Sequence, residues 1–438
     1  MFQRILKITL LVIGLIFVWG YSGVSGWGFD PGWHVHNGLW MLQHHAILHR
    51  DNFTWKSPQT PWANIEWGFD LLVGWVYSFS GWVGTRWLVV LVYAGIFGLI
   101  LRQSQLKSFR CIWVYLTAFL LVATSATVRP QIFSYLFFAI ALIGVLRGKN
   151  LSLLSLLVIP WNNFHASAIL WLGLLAIETL LSKDKKSLWK AWVISLLGFC
   201  VSPNSIGSLI SFTRMQGNKL SLLISEYQSP SFHNLYPWII IGLLLMTGYQ
   251  AIKKSDLRSQ LWVLAGLGAY LFSQRFGTYS VIITILLIDV STHDDRKTYF
   301  GISLITTVIS LALCVSFIQQ PFSQPVEYQA VKYLASIHAT HILNQYEYGS
   351  TLEMGGLTPI CDGRDIWLGQ KWYDRYFETL VGQYSLKQLI QKYIPNAKYA
   401  IFPLKGLMAY QIENLPDWKV VYKENDVGVW CITKTTFK

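Results

Sequence analysis

The strongest constraint on this chain is the recurrence of apolar runs long enough to cross a lipid bilayer. They begin with "ILKITLLVIGLIFVWG" at residues 5–20 and continue to about residue 318. A bilayer core offers no water to backbone N–H and C=O groups, so such runs are confined to helices. Hydrophobic residues make up 53% of the 438 positions and charged residues only 13%, too few charges to cover a soluble globule of this size. A net charge of +13 would suit a nucleic-acid partner. The lysines and arginines, however, sit in short clusters between apolar runs, and no nucleic acid is expected.

Hydropathy marks eleven candidate spans: 5–22, 83–101, 111–128, 131–147, 151–165, 166–181, 189–203, 237–252, 259–273, 276–292 and 298–318. An N-terminus in the cytoplasm places sixteen basic residues in or beside the inner segments: Arg4, Lys7, Arg102, Lys107, Arg110, Arg147, Lys149, Lys183, Lys185, Lys186, Lys190, Lys253, Lys254, Arg258, Arg296 and Lys297. Seven fall on the outer ones: Arg50, Lys56, Arg86, Arg129, Arg214, Lys219 and Arg275. That asymmetry satisfies the positive-inside rule. The first run, headed by Arg4 and Lys7, lacks a small-x-small cleavage site and is read as a retained span. The Trp-rich segment 64–81, "NIEWGFDLLVGWVYSFSG", is read as an amphipathic helix in the outer interface, because counting it as a span would move the basic "RQSQLKSFR" outside.

The expected architecture is a polytopic α-helical membrane protein: a transmembrane domain over 1–320 with its first outer loop at 21–82, and a small extracytoplasmic α/β domain over 321–438. In the tail, "VEYQAVKYLASI" and "YSLKQLIQKYI" have helical periodicity, while "KYAIFPL" and "WKVVYKENDVGVWCITK" read as strands, the latter a hairpin around Glu424 to Gly428. Five cysteines show no metal-type spacing. Cys111, Cys200 and Cys314 fall in apolar runs, leaving the pairing of Cys361 with Cys431 open.

Polar residues at the expected span ends collect on the outer side. Asp30, His34, His36 and Glu66 lie in the first loop, Arg129 in "TVRPQ", Asn162, Asn163 and His165 in "PWNNFH", Asn204 after the seventh span, Glu226 in "SEYQSP" and Arg275 in "SQRFG". Ionisable groups at membrane depth are costly, so a one-sided set suggests a cavity. Each also has a structural reading: Asp30 before Pro31-Gly32 as a helix or turn cap, Glu66 as an interfacial carboxylate, Arg129 and Arg275 as snorkelling side chains. Asp289, near an inner span end, is read as structural. His34 and His36 with Asp30 invite a metal, but i, i+2 positions diverge on a helix, so they are taken as shapers of the loop. An outward carboxylate can accept a proton from an attacking hydroxyl or amide, and two arginines can hold a phosphate or diphosphate. In the tail, "CDGRD" reads as a structural turn, with an acceptor contact through Asp362 or Arg364 as the alternative.

The loop "FDPGWHVHNGLWMLQHHAILHRDNFTWKSPQTPWANIEWGFD" resembles that of a large group of bacterial membrane proteins with the pattern D-x-x-W-H-x-x-x-G followed by "PW-x-x-x-EW". "VRPQIFSYLF", "WNNFHAS", "SPNSIGSL", "SEYQSP", "SQRFG", "NQYEYGSTLE" and "ICDGRD" extend the resemblance along most of the chain. That group in turn is similar to the GT-C class of integral membrane glycosyltransferases, relatives of the protein mannosyltransferases and of the aminoarabinose transferase of lipid A. The resemblance implies sugar transfer from a polyprenyl-phosphate donor to a cell-envelope acceptor (glycan, lipid or protein) outside the bacterial cytoplasmic membrane. Asp30 matches the catalytic loop carboxylate of that class. Glu66 is a second candidate catalytic residue, matching by location only, as Arg129 and Arg275 do for the donor phosphate. His34, His165, Asn163, Asn204 and Glu226 are expected to line the cavity. Asp30-Pro31 stands where the protein mannosyltransferases have an Asp-Glu pair. No certain cofactor is implied, and a divalent metal is left open. With no long cytoplasmic segment and no P-loop or GxGxxG, a nucleotide-sugar donor is not expected. The alternatives are a lipid or polysaccharide flippase, disfavoured by the lack of internal repeats, and a non-catalytic envelope-assembly protein.

Overall fold

The computed structural model describes residues 2–24, 30–56, 59–104, 106, 109–207, 210, 224–288, 323–364 and 371–433. The expected span 298–318, Asp289, Cys314, Lys107, Arg214, Lys219, Arg296 and Lys297 lie outside them. The chain divides into two compact units: Met1–Ser25, Ser80–Leu209 and Ser221–Phe322 form the first, and Gly26–Phe79, Ile210–Leu220 and Ser323–Lys438 the second. The first loop therefore folds with the C-terminal segment. Trp55 shows why: its backbone N–H donates to Pro359 O at 3.1 Å and its indole Nε1 to Ile342 O at 2.9 Å. Hydropathy locates the change from apolar to polar sequence but cannot say which polar segments pair.

Three helices open the chain, α1 (Phe2–Val24), α2 (Asp30–His44) and α3 (Trp67–Gln103). Gly81 breaks α3 with φ 57° and ψ −155°, a conformation that glycine adopts without a Cβ penalty. The break falls where the sequence separates the expected interfacial helix 64–81 from the span 83–101. The first unit continues with α4 (Phe109–Ala123), α5 (Gln131–Leu146), α6 (Leu151–Ser155), α7 (Val158–Phe164), α8 (Leu170–Leu181), α9 (Lys185–Cys200), α10 (Leu235–Lys253), α11 (Leu257–Phe272) and α12 (Gly277–Leu287). Among the described residues, α1, α3 and α10 are long and apolar enough to cross a membrane, and other apolar helices are shorter. Val83, Trp87 and Leu91, four residues apart on α3, are exposed, as are Leu235, Trp238, Leu245 and Tyr249 on α10. Such apolar faces suit lipid.

The expected span 151–165 is interrupted between α6 and α7. Pro160 has no N–H to give to Leu156 O, and Ile159 N takes that carbonyl instead at 3.1 Å, in a tighter i→i−3 turn. Polar side chains then clamp the helices. Arg258 Nη2 lies 3.1 Å from Glu178 Oε2, joining α11 to α8. Arg86 Nε donates to Trp19 O at 2.9 Å and its guanidinium stacks 3.8 Å over the Trp19 ring, joining α3 to α1.

In the second unit, a four-stranded sheet of order β1-β2-β4-β3 is built from β1 (Ile342–Asn344), β2 (Tyr399–Pro403), β3 (Trp418–Glu424) and β4 (Val427–Ile432). Strands β1 and β2 are parallel, the others antiparallel. The expected hairpin joins β3 to β4 through Asn425 and Asp426, at φ 49° and 62°, the left-handed pair that a two-residue turn needs and that Asn and Asp tolerate. Period-two alternation sends side chains to two cores. Ala400, Phe402 and Trp430 join one with helices Lys371–Leu380 and Leu386–Tyr393, while Ile401, Val427 and Val429 join another with helix Tyr328–Ser336. The helices at Tyr328–Ser336 and Leu386–Tyr393 match the sequence expectation. Those at Gly349–Met354, Lys371–Leu380 and Leu407–Glu413, together with β1, are additions. Cys431 on β4 carries no disulfide, so it is not paired with the buried Cys361.

Helices α2 and α3 meet at glycines. A Cβ on Gly38 would lie 1.9 Å from Asp70 O, and one on Gly74 2.5 Å from Gly38 C. Gly38→Ala should therefore lower stability by about 1–3 kcal/mol. Gly98→Ala, on α3 with nothing within 4 Å of its Cβ, should instead gain roughly 0.5–1 kcal/mol. Melting of the two variants in detergent, compared with the parent, tests both signs.

Candidate functional sites

The helical unit holds a cavity of about 490 Å³, within the range of small-molecule sites. Arg129 reaches it from the turn between α4 and α5. Glu226 stands on a single 3₁₀ turn, Ser225–Tyr227, and Arg275 on another, Gln274–Phe276. The two turns are tied together. Gln274 N donates to Gln228 O at 2.9 Å, and Ser273 Oγ to Glu226 O at 2.9 Å. Both arginines converge on one carboxylate, Arg129 Nη1 lying 3.3 Å from Glu226 Oε2 and Arg275 Nη1 3.8 Å from Glu226 Oε1. Arg275 also donates to the Tyr227 hydroxyl and lies 4.8 Å over its ring. Thr124, Ser125, Tyr135 and Tyr236 complete a wall rich in hydroxyl groups. Two guanidinium groups in a partly desolvated cavity bind an anion far more strongly than they would in water.

Other expected cavity residues of this unit are committed to helix packing. His165 caps a 3₁₀ turn, its Nδ1 2.7 Å from Ser167 Oγ and 3.0 Å from Ser134 Oγ. Asn163 Nδ2 donates to Ile159 O and Val201 O, each at 2.8 Å, and Asn162 Nδ2 to Phe199 O at 3.2 Å. Asn204 N donates to Ser202 Oγ at 3.3 Å in the turn after α9. None of the four lines the cavity described above.

The second unit gathers the first-loop residues. Asp30 opens α2, and its Oδ1 accepts from Trp33 Nε1 at 3.2 Å. Gly363 lies beside this pair. A Cβ there would stand 2.6 Å from Asp30 Oδ1 and 2.5 Å from Trp33 Nε1, so a larger residue in the "CDGRD" turn would push these side chains aside. His34 is buried, its Nδ1 2.5 Å from Asp70 Oδ1 and its Nε2 3.9 Å from Glu66 Oε2. Asp70 is fully buried and also accepts from Asn37 Nδ2 at 3.0 Å and Asn64 Nδ2 at 2.9 Å. Sequence reasoning passed over Asp70. The signal available was an aspartate in the Trp-rich segment "EWGFD", where a solvent role explains it poorly.

Asp362 and Arg364, 0% and 1% exposed, are the centre of a buried ionic cluster. Arg364 Nε donates to Asp362 Oδ1 and Oδ2 at 3.0 and 3.1 Å, and Nη2 lies 2.9 Å from Glu353 Oε1 and 3.4 Å from Asp51 Oδ1. Arg364 N donates to Asp362 Oδ1 at 2.7 Å, which closes the turn. The guanidinium lies 4.8 and 5.3 Å over the rings of Phe53 and Trp62. Burial, then the neighbouring Asp362, push the Glu353 carboxyl well above the usual range, with Arg364 opposing them. Although burial alone would raise Asp362, Arg364 beside it holds the carboxyl below its ordinary value. Burial, then Arg364, lower His36 to about 4, and its Nδ1 stands 3.6 Å from Glu353 Oε2. Among the described residues, no group of three or more His, Cys, Asp or Glu side chains is arranged to hold a metal ion.

Two outcomes follow from this cluster. Arg364→Met leaves Asp51, Glu353 and Asp362 without their cation and should cost about 3–5 kcal/mol, read as a fall in melting temperature. A histidine held neutral contributes stability that is full above its unfolded value of 6.5 and is lost as pH falls toward 4. Glu353 runs the other way: its contribution is full below the ordinary carboxylate range and is lost as pH rises toward its raised value. His36→Gln should remove only the first trend, so the melting difference between it and the parent protein should shrink as the pH is lowered from 6.5 to 4.

No protein-family model matches the sequence, and no curated protein matches it. Solved structures do match in fold. The archaeal oligosaccharyltransferase AglB from Archaeoglobus fulgidus, in complex with an inhibitory peptide and a dolichol-phosphate, superposes with a TM-score of 0.59 at 11% identity, over 91% of this chain and 69% of that one. The Archaeoglobus fulgidus enzyme in complex with Zn and sulfate gives 0.57 at 12% identity, over 90% and 67%. The arabinofuranosyltransferase AftD from Mycobacteria gives 0.50 at 13% identity, over 99% of this chain but only 42% of its own length. At such identities the likeness is one of fold, and the fold is that of the GT-C class of multi-pass membrane proteins.

Proposed function

We propose that this chain is a GT-C membrane glycosyltransferase that moves a sugar from a polyprenyl-phosphate-linked donor to a cell-envelope acceptor (glycan, lipid or protein). The observation that carries the proposal is the convergence of Arg129 and Arg275 on one anionic position in the cavity of the helical unit. The AglB structure, which shares the fold, was solved with a dolichol-phosphate and a peptide, and a lipid phosphate here would need such cationic partners.

In this reading the acceptor's hydroxyl or amide attacks the anomeric carbon of the sugar. The bond from that carbon to the phosphate oxygen breaks, and the electron pair leaves with the phosphate, whose growing charge the two arginines stabilise. The acceptor's proton passes to the carboxylate of Asp30, with Glu66 the second candidate for that role. The proposed setting is the outer face of a bacterial cytoplasmic membrane, with eleven spans, a cytoplasmic N-terminus and the tail outside. That arrangement suits a lipid-borne donor, which needs no nucleotide-binding domain.

Mass spectrometry of envelope glycans in a strain deleted for this protein, complemented with variants, tests the proposal. Asp30→Asn should insert normally yet transfer sugar about 10²–10⁴-fold more slowly, the usual contribution of a general base. Parental glycan levels in that strain would remove Asp30 from the mechanism. An unchanged glycan profile on deletion would remove the proposal itself.

A further inference from the structure

A lipid-linked donor can carry one phosphate or two. We infer that the cavity of the helical unit is built for a single phosphate, and that the Glu226 carboxylate stands at the position that phosphate takes. The inference rests on the glycosyltransferase reading and narrows its donor class to polyprenyl monophosphate sugars.

The geometry is that of two cations on one small anion. Arg129 Nη1 faces Oε2 of Glu226 at 3.3 Å, and Arg275 Nη1 faces Oε1 of the same carboxylate at 3.8 Å. The two oxygens of a carboxylate are spaced much as two non-bridging oxygens of one phosphate are, so a single phosphate placed there meets both guanidinium groups. The outer oxygens of a diphosphate spread over two centres and need cations along a longer line. Among the described lining residues, Arg129 and Arg275 are the only cations, and Thr124, Ser125, Tyr135 and Tyr236 offer neutral hydroxyl groups.

Charge agrees with shape. A polyprenyl phosphoryl sugar is a phosphodiester with one negative charge, the same as the Glu226 carboxylate it replaces, so the exchange leaves the net charge of the cavity unchanged. When the sugar departs, the phosphate becomes a monoester that carries about −1.5 to −2 at neutral pH. That growing charge meets both guanidinium groups once Glu226 has turned away. A diphosphate leaving group brings a further negative charge that no described lining cation meets. The Glu226 side chain is 38% exposed, so turning it toward solvent desolvates nothing new. Its attraction to the arginines is what an incoming phosphate must overcome, and Glu226 therefore sets a threshold against weaker anions.

Titration calorimetry of the full-length protein in detergent, with farnesyl phosphate and farnesyl diphosphate as probes, tests the inference. Farnesyl phosphate should bind at least about tenfold more tightly than the diphosphate. Glu226→Gln, which removes the competing anion, should tighten farnesyl phosphate binding several-fold, and Arg129→Ala or Arg275→Ala should weaken it by about tenfold or more. Melting without ligand shows which variants fold, and Arg129→Lys and Arg275→Lys replace any alanine variant that does not. Equal or tighter binding of the diphosphate overturns the single-phosphate assignment and leaves the glycosyltransferase reading standing. Unchanged or weaker binding in Glu226→Gln overturns the stand-in role of Glu226. If both lipids bind the arginine variants as well as the parent, the cavity is not a phosphate site and the donor reading falls with it.

Discussion

One buried guanidinium organises the C-terminal unit. Arg364 draws Asp51 from the first loop and Glu353 and Asp362 from the tail into one cluster, so two segments more than three hundred residues apart share a core. Three carboxyl groups around one cation would be untenable if all were ionised. Burial and Asp362 relieve this by raising the Glu353 carboxyl well above the usual range, toward its neutral form. Replacing such a cluster by apolar side chains is often neutral or stabilising, so its value lies in specifying which segments meet. What it specifies here is the approach of Gly363 to Asp30 and Trp33, the contact that seats the loop carboxylate.

The helical unit uses the opposite strategy. Its clamps, Arg258 with Glu178 and Arg86 with Trp19, join helices in pairs. Short turns such as Ser225–Tyr227 and Gln274–Phe276 carry its charged side chains. Backbone outside a helix is tolerated at membrane depth only where protein or a polar cavity satisfies it, and the hydrogen bonds between these turns meet that requirement. The same cross-links fix Glu226 and Arg275 relative to each other. A fold shared with AglB and AftD at 11–13% identity fits this division, since apolar patterning can persist while site residues change.

Much of the secondary structure was legible. The break at Gly81, the apolar helices from α1 to α12, two tail helices and the hairpin at Asn425–Asp426 lie where periodicity, breakers and turn residues put them. The interruption at Pro160 was also readable in principle, because proline removes a helix donor. The candidate sites were legible only in part. Arg129, Glu226 and Arg275 stood out as polar residues at the ends of apolar runs, and they do meet. Asp51 and Glu353 did not stand out, because each lies in a polar stretch whose composition already accounts for an acidic residue, and Asp70 was masked by the reading of its segment as an interfacial helix. His165 and Asn163 look like site residues in sequence and serve as caps and helix ties in the structure.

By itself the sequence determined that this chain is a membrane protein, where its apolar helices run and where its final hairpin turns. These follow from hydropathy, proline and glycine, which act over a few residues. Only the tertiary structure decided that the first loop folds with the tail, that Arg364 is an internal counter-ion and that Glu226 sits between two arginines. Such pairings depend on which distant charges share a desolvated volume, and no local pattern encodes that.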